Sequence, residues 1–180
     1  MNEKLQKIKL VITDVDGVLT DGLLHYDANG EAIKSFHVRD GLGIRMLMEH
    51  GIQVAVLSGR DSPILRKRMQ DLGIELSILG KLEKESACFS LIEQAGVSAE
   101  ETAYIGDDSV DLPAFSVCGL AFTVNDAPEY VRDCADYVLS LPGGKGAFRE
   151  MSDMILKAQG KTDAFSTAKG FLKTVKNMAQ

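Results

Sequence analysis

The chain is divided into short, near-continuous apolar runs separated by helical patterns, and that alternation restricts the folds open to it. The runs lie at residues 8–12, 54–57, 76–79, 103–105 and 120–124. A strand with one wet face would alternate apolar and polar residues; runs this uniform suit a parallel sheet covered on both faces. Between them, Ile44, Leu47 and Met48 share one helical face, as do Ala87, Leu91, Ile92 and Ala95, and Phe148, Met151 and Ile155. This order predicts a doubly wound, Rossmann-like α/β fold, in which ligands sit beyond the carboxyl ends of the strands. A chain of 180 residues, 45% hydrophobic and 26% charged, is enough for one domain with a sizeable core, so residues 1–180 are read as a single domain.

Two segments fall outside the alternation. "LLHYDANGEAIKSFHV", residues 23–38, reads as two extended runs around Asn29-Gly30, a strong signal for a two-residue hairpin turn. That turn would pair Tyr26 with Ile33 and Leu23 with Phe36, with Tyr26, Ile33 and Leu24 on one face and Leu23 and Phe36 on the other. In residues 160–180, Phe165, Ala168, Phe171, Leu172 and Val175 have the spacing of a short amphipathic helix, weakened by Gly170, as a docked helix or a partly loose tail.

Polar clusters follow the apolar runs. In "VITDVDGVLTDG" Asp14 and Asp16 are two residues apart after the first run, so both can point into one cleft, and Gly17 permits a sharp turn. Their repulsion requires a cation between them or a proton on one of them. In "VLSGR" the Ser58 hydroxyl and N–H groups near Gly59 can hold an oxyanion, and Arg60 offers a fork suited to phosphate or carboxylate. "GKLEKES" brings Lys81 and Lys84 to a helix start, and "YIGDDSVDLP" places Asp107 and Asp108 after the fourth run. Hard oxygen ligands of this kind suit Mg²⁺ better than zinc. Each cluster alone could be a turn, an N-cap or solvated surface; their joint occurrence at successive strand ends points to phosphoryl transfer.

In order and spacing, "DVDGVLTD", "LSGR", a lysine of "GKLEKES" and "GDDSVD" resemble the motifs of the haloacid dehalogenase (HAD) superfamily of phosphohydrolases, over roughly residues 8–150. "DVDGVLTDG", "FHVRDGLGI", "YIGDDSVDLP" and "GGKGAFRE" together resemble one family within it, the 3-deoxy-D-manno-octulosonate 8-phosphate (KDO 8-phosphate) phosphatases of lipopolysaccharide biosynthesis. The resemblance implies Asp14 as nucleophile, forming an aspartyl-phosphate, and Asp16 as the acid and then the base. It implies Mg²⁺ held by the side chains of Asp14 and Asp107 and the backbone carbonyl of Asp16. Ser58 and a motif lysine, Lys84 in preference to Lys81, would hold the phosphoryl oxygens. Asp108 and Asp111 would orient the metal shell or Lys84. P-type ATPases of the superfamily carry threonine where this chain has Asp16, so the carboxylate favours a phosphatase.

The gaps between the motifs leave no room for a cap domain, so the site of a lone subunit would be open to water. For a sugar-acid substrate, Arg60 is the expected partner of the carboxylate. "HVRDG" (His37, Val38, Arg39, Asp40 and Gly41) leads back toward the cleft and offers N–H groups at a helix start, or else ends the hairpin with Asp40 as an N-cap. His37 as a base is redundant with Asp16; His25 and His50 read as surface. A hairpin with apolar groups on both faces needs cover, and an open site needs closing. Together with the resemblance, this predicts a homotetramer with sites at the interfaces, touched by a neighbour's C-terminal tail.

Composition removes other classes. A net charge of −6 without a basic stripe disfavours nucleic acid and anionic membranes. No apolar stretch reaches membrane-span length, and the N-terminus has no signal-peptide core. Cys88, Cys118 and Cys134 are far apart in sequence and form no CxxC pair; they read as reduced, buried thiols of a cytoplasmic protein. A signalling receiver domain would not place its acidic pair and phosphoacceptor on one strand end. A non-catalytic module would not need the full set of carboxylates. Another sugar-acid phosphate, such as an acylneuraminate 9-phosphate, remains an alternative substrate.

Overall fold

Leu10, Val11 and Ile12 are fully buried, and the fold is built outward from the strand they form. The computed structural model describes residues 2–178. A short helix α1 (Asn2–Lys7) leads into β1 (Leu10–Thr13), followed by the hairpin β2 (His25–Asp27) and β3 (Gly30–Ile33). Then come α2 (Val38–Glu49), β4 (Gln53–Ser58), α3 (Pro63–Leu72), β5 (Leu76–Leu79), α4 (Lys84–Ala95) and β6 (Thr102–Gly106). The remainder is α5 (Leu112–Val117), β7 (Leu120–Thr123), α6 (Glu129–Arg132), β8 (Tyr137–Val138), α7 (Ala147–Ala158), α8 (Asp163–Ser166) and α9 (Ala168–Met178).

The main sheet has the order β5-β4-β1-β6-β7-β8 and is parallel throughout. This is the doubly wound order, reversing direction between β1 and β6. The carboxyl ends of those two strands therefore diverge and leave a crevice. Helices α2, α3 and α7 pack together, while α4 packs against α5 across the sheet, as right-handed crossovers require. The expected strands are all present. β8 is an addition: two residues of parallel edge give too short a pattern to read in a sequence. α1 is likewise an addition.

The hairpin forms, with a different turn. Asp27 faces Gly30 and Tyr26 faces Glu31, so Ala28 and Asn29 are the central residues; a bulge then sets His25 opposite Ile33. The expected pairing of Tyr26 with Ile33 is therefore incorrect. The cause is local: Asp27 Oδ1 accepts the Asn29 N–H at 2.7 Å, a side-chain-closed turn, and Gly30 alone takes positive φ, +122°.

The C-terminal segment folds back as α8 and α9 onto α2, where Arg45 Nη2 donates to the Met178 carbonyl at 2.7 Å. Gly170, expected to weaken this helix, is what admits it, since a Cβ there would overlap the Asp163 carbonyl. Ala179 and Gln180 of the expected tail lie outside the described residues. Among the cysteines, Cys88 and Cys118 lie with their sulfurs 3.3 Å apart, and Cys134 is exposed rather than buried. His50, expected at the surface, is half-buried where α2 ends.

Two residues of the expected substrate segment, His37 and Asp40, cap helices. The N-cap of α2 is His37, whose Nδ1 accepts the Arg39 N–H at 3.2 Å, and not Asp40. Asp40 is 2% exposed and serves a different helix: its Oδ1 accepts the Arg149 N–H at 2.9 Å, in the first turn of α7. The residue preceding that turn, Gly146, has no side chain to do this. Asp40→Ala is expected to cost about 1–2 kcal/mol, read as a lower urea midpoint, with KM for substrate unchanged. A raised KM at unchanged stability would return Asp40 to the substrate site.

Candidate active site

The chain emerging from β1 carries Asp14 to the crevice between β1 and β6, with the Asp14 N–H tied to the Ile105 carbonyl at 3.0 Å. Asp107 follows β6 on the other side. Gly17 makes their approach possible: its φ is +93°, and a Cβ there would overlap the Asp107 carboxylate. The turn beyond Gly17 is backed by the segment after β8, where the Gly144 N–H donates to the Val18 carbonyl at 2.9 Å and Gly143 has no room for a side chain against the Gly17 carbonyl.

Lys84 opens α4 and is 1% exposed. Its ammonium lies 3.0 Å from Asp14 Oδ1 and 2.6 Å from Asp111 Oδ1. Burial works against this charge, but Asp14 and Asp111 outweigh it and raise its pKa. Lys81 turns away toward Ser86 Oγ, at 2.9 Å, so of the two candidate lysines Lys84 is the one at Asp14.

Asp111 is fully buried and uses both oxygens. Oδ1 accepts from Tyr104 Oη at 2.7 Å as well as from Lys84; Oδ2 accepts the N–H groups of Asp107 and Asp108 at 2.9 and 3.2 Å. It therefore shapes the loop that presents Asp107. Burial, with Asp111 and Asp14 nearby, keeps the Tyr104 phenol protonated and donating. Asp108 is exposed and caps the turn at Ser109.

Oxygen atoms of Asp14, Asp107 and Asp111 lie within 4.8 Å of one another. Burial first, and then Asp111, push the Asp14 pKa up to about 7, against the pull of Lys84. Burial, followed by repulsion from Asp14 and Asp111, pushes Asp107 up to about 8. One buried ammonium does not balance this set, and the spare oxygens are hard donors, so the residues fit a divalent hard cation. Ser58 ends β4, 1% exposed, with its Oγ accepting the Arg60 N–H at 3.1 Å. Asp14, Asp16, Ser58, Gly59, Arg60, Lys84, Asp107 and Asp108 line a cleft of about 170 Å³, with Leu82 and Val110.

His37, Asp40 and Gly41 are not in that cleft. They line a separate small space with Phe36 and Arg68, while Val38 and Arg39 are exposed. Sequence reading also misses Tyr104, and it misses Lys34, whose ammonium contacts Asp16. The structure inverts the expected alternation there, with Ile33 exposed and Lys34 buried, and the sequence carries no signal of it.

The chain matches the model for haloacid dehalogenase-like hydrolases over residues 77–146. It is 75% identical over 180 residues, all of both chains, to the 3-deoxy-D-manno-octulosonate 8-phosphate phosphatase KdsC of Haemophilus influenzae. It is 43% identical over 160 residues, 89% of this chain and 85% of the relative, to the protein of that name from Escherichia coli K12. A solved cobalt-bound structure of the H. influenzae phosphatase superposes with a TM-score of 0.93 at 76% identity, covering 94% of this chain and 99% of that one. The Moraxella catarrhalis phosphatase, in complex with magnesium, phosphate and KDO, superposes at 0.87 with 40% identity, covering 91% and 94%. The chain belongs to the haloacid dehalogenase-like hydrolases and, within them, to the KDO 8-phosphate phosphatase family.

The raised carboxylates have a measurable consequence. The folded state holds protons on Asp14 and Asp107 that the unfolded chain, with carboxyl groups near 3.8, releases. Their contribution to stability is therefore complete below about pH 4 and is lost as pH rises through 7 to 8. In metal-free buffer the melting temperature of the wild type should fall between pH 5 and 8 relative to that of Asp14→Asn/Asp107→Asn. Parallel curves for the two proteins would show that these carboxylates do not carry the strain.

Proposed function

We propose that the chain is an Mg²⁺-dependent phosphomonoesterase that hydrolyses KDO 8-phosphate to the free sugar acid and inorganic phosphate, in lipopolysaccharide biosynthesis. One observation carries the reading: a buried carboxylate, Asp14, 3.0 Å from a buried ammonium and beside Asp107, at the crevice where the sheet reverses. In this mechanism Asp14 attacks the phosphorus and forms an aspartyl-phosphate. Lys84 and the Ser58 hydroxyl hold the transferring oxygens, and Asp111 keeps Lys84 in place. Asp16 gives a proton to the departing sugar alkoxide and then takes one from the water that hydrolyses the aspartyl-phosphate. The Asp14 and Asp107 carboxylates, with the Asp16 carbonyl, would hold Mg²⁺. When bound, the metal supplies the positive charge that allows a carboxylate to approach a phosphate dianion.

Arg60 suits the sugar-acid carboxylate. It lies in the cleft, stacked over Tyr26 at 6.0 Å, with its Nη2 donating to Tyr26 Oη at 2.6 Å. Its Nε is buried without a partner among the described residues. The reading treats the chain as one phosphatase domain with a flap, residues 23–38, and a C-terminal tail, residues 160–180. It places the enzyme in the cytoplasm, where free thiols stay reduced. No helix among the described residues is long and apolar enough to cross a membrane.

Turnover of a panel of sugar phosphates tests this. KDO 8-phosphate should be preferred to an acylneuraminate 9-phosphate, and a chelator should abolish the activity. Asp14→Asn should stay folded and lose about 10³-fold or more of kcat. Phosphate release by that variant at a near-wild-type rate would end the covalent mechanism.

We further infer a homotetramer built on the hairpins. Leu23, Tyr26 and Ile33 are 61, 61 and 60% exposed, a concentration of apolar surface on a ribbon too small to cover it. The cleft, about 170 Å³, is also smaller than the roughly 300–1,000 Å³ of typical ligand sites, so a neighbour's hairpin could complete its wall. Tyr26→Asp/Ile33→Asp should sediment as a smaller species with reduced kcat/KM while keeping its far-UV spectrum. A fully active wild-type monomer at assay concentration would exclude the assembly.

A further inference from the structure

The underside of the hairpin carries charge that its apolar surface does not suggest. Lys34, one residue beyond β3, has a side chain only 2% exposed, although Ile33 and Ser35 on either side face solvent. Its ammonium contacts Asp16 Oδ1 and lies 3.0 Å from Glu31 Oε1, on a side chain itself 8% exposed. A buried ammonium is costly unless carboxylates answer it. Here one comes from the hairpin and the other from the catalytic loop. Among the described residues, Lys34 is the one side chain that hydrogen-bonds Asp16. Two buried lysines thus divide the acidic residues after β1: Lys84 takes Asp14, and Lys34 takes Asp16.

We propose that Lys34 is a positioning residue for the reaction. Held by Glu31, it fixes the direction of the Asp16 carboxylate, so that each subunit's hairpin is part of its own catalytic apparatus. The inference rests on the reading of Asp16 as acid and base. An unrestrained aspartate samples several rotamers, and a charge-assisted hydrogen bond to one oxygen selects among them. With Oδ1 held, Oδ2 is left to move the proton between alkoxide, carboxyl and water, a transfer that requires hydrogen-bond reach.

A double-mutant cycle on the full chain tests this, with KDO 8-phosphate and Mg²⁺. Lys34→Met should lower kcat about 10–100-fold with KM within about two-fold. In the Asp16→Asn background the same change should have no further effect, because Lys34 acts through Asp16. Lys34→Arg should restore most of the loss. Losses that multiply in the double variant, or a loss confined to KM, would overturn the positioning role while leaving Asp16 its own. Wild-type turnover by Asp16→Asn alone would overturn the acid/base reading and this inference with it. If Lys34→Met does not fold, Glu31→Gln replaces it in the cycle; a kcat loss that persists unchanged beside Asp16→Asn is then the refuting result.

Discussion

The Lys84 ammonium, buried between Asp14 and Asp111, is the interaction on which the site depends. It links three separate stretches of chain: the end of β1, the start of α4 and the turn after β6. In a medium that screens charge poorly, removing any member would leave another unpaired, which costs far more than the pair contributes on balance. Asp111 extends the cluster by accepting two backbone N–H groups and the Tyr104 hydroxyl, so the loop bearing Asp107 is set by the same carboxylate that holds Lys84. Sheet, loop and charge therefore form one unit.

Much of this unit is legible in the amino-acid sequence. Strands covered on both faces show as unbroken apolar runs, and a parallel doubly wound sheet places its ligands at one edge. That is why Asp14, Ser58, Lys84 and Asp107 can be assembled from four distant segments. The preference for Lys84 over Lys81 comes from the register of the family motif rather than from these runs, and the side-chain directions agree with it, Lys84 turning to Asp14 and Lys81 to Ser86.

The departures from expectation have physical causes. Asn29-Gly30 carries the conformational preference for a turn, but the Asp27 side chain offers a competing hydrogen bond and moves the turn back by one residue. Such bonds depend on one oxygen reaching one N–H, which no pattern records. Asp40 and Gly41 look available to substrate because helix starts offer N–H groups. Their contacts, with Arg149 on α7 and Arg68 on α3, are long-range in sequence. Lys34 escapes notice for a related reason: a lysine on a hairpin is ordinarily solvated, and its burial is answered by Glu31 on the same hairpin together with Asp16, 18 residues back.

The segment behind the Gly17 turn bears on how the protein is made. The polar stretches that meet in the cleft have been synthesised by residue 111, and β1, β4, β5 and β6 can assemble by then. The turn after Asp14 nevertheless rests on Gly143 and Gly144, which follow the last strand of the sheet. A chain emerging from the ribosome can thus bring Asp14, Lys84 and Asp111 together before the turn that follows Asp14 is backed. The turn at Gly17 is therefore completed late in synthesis, after every strand of the main sheet has been made.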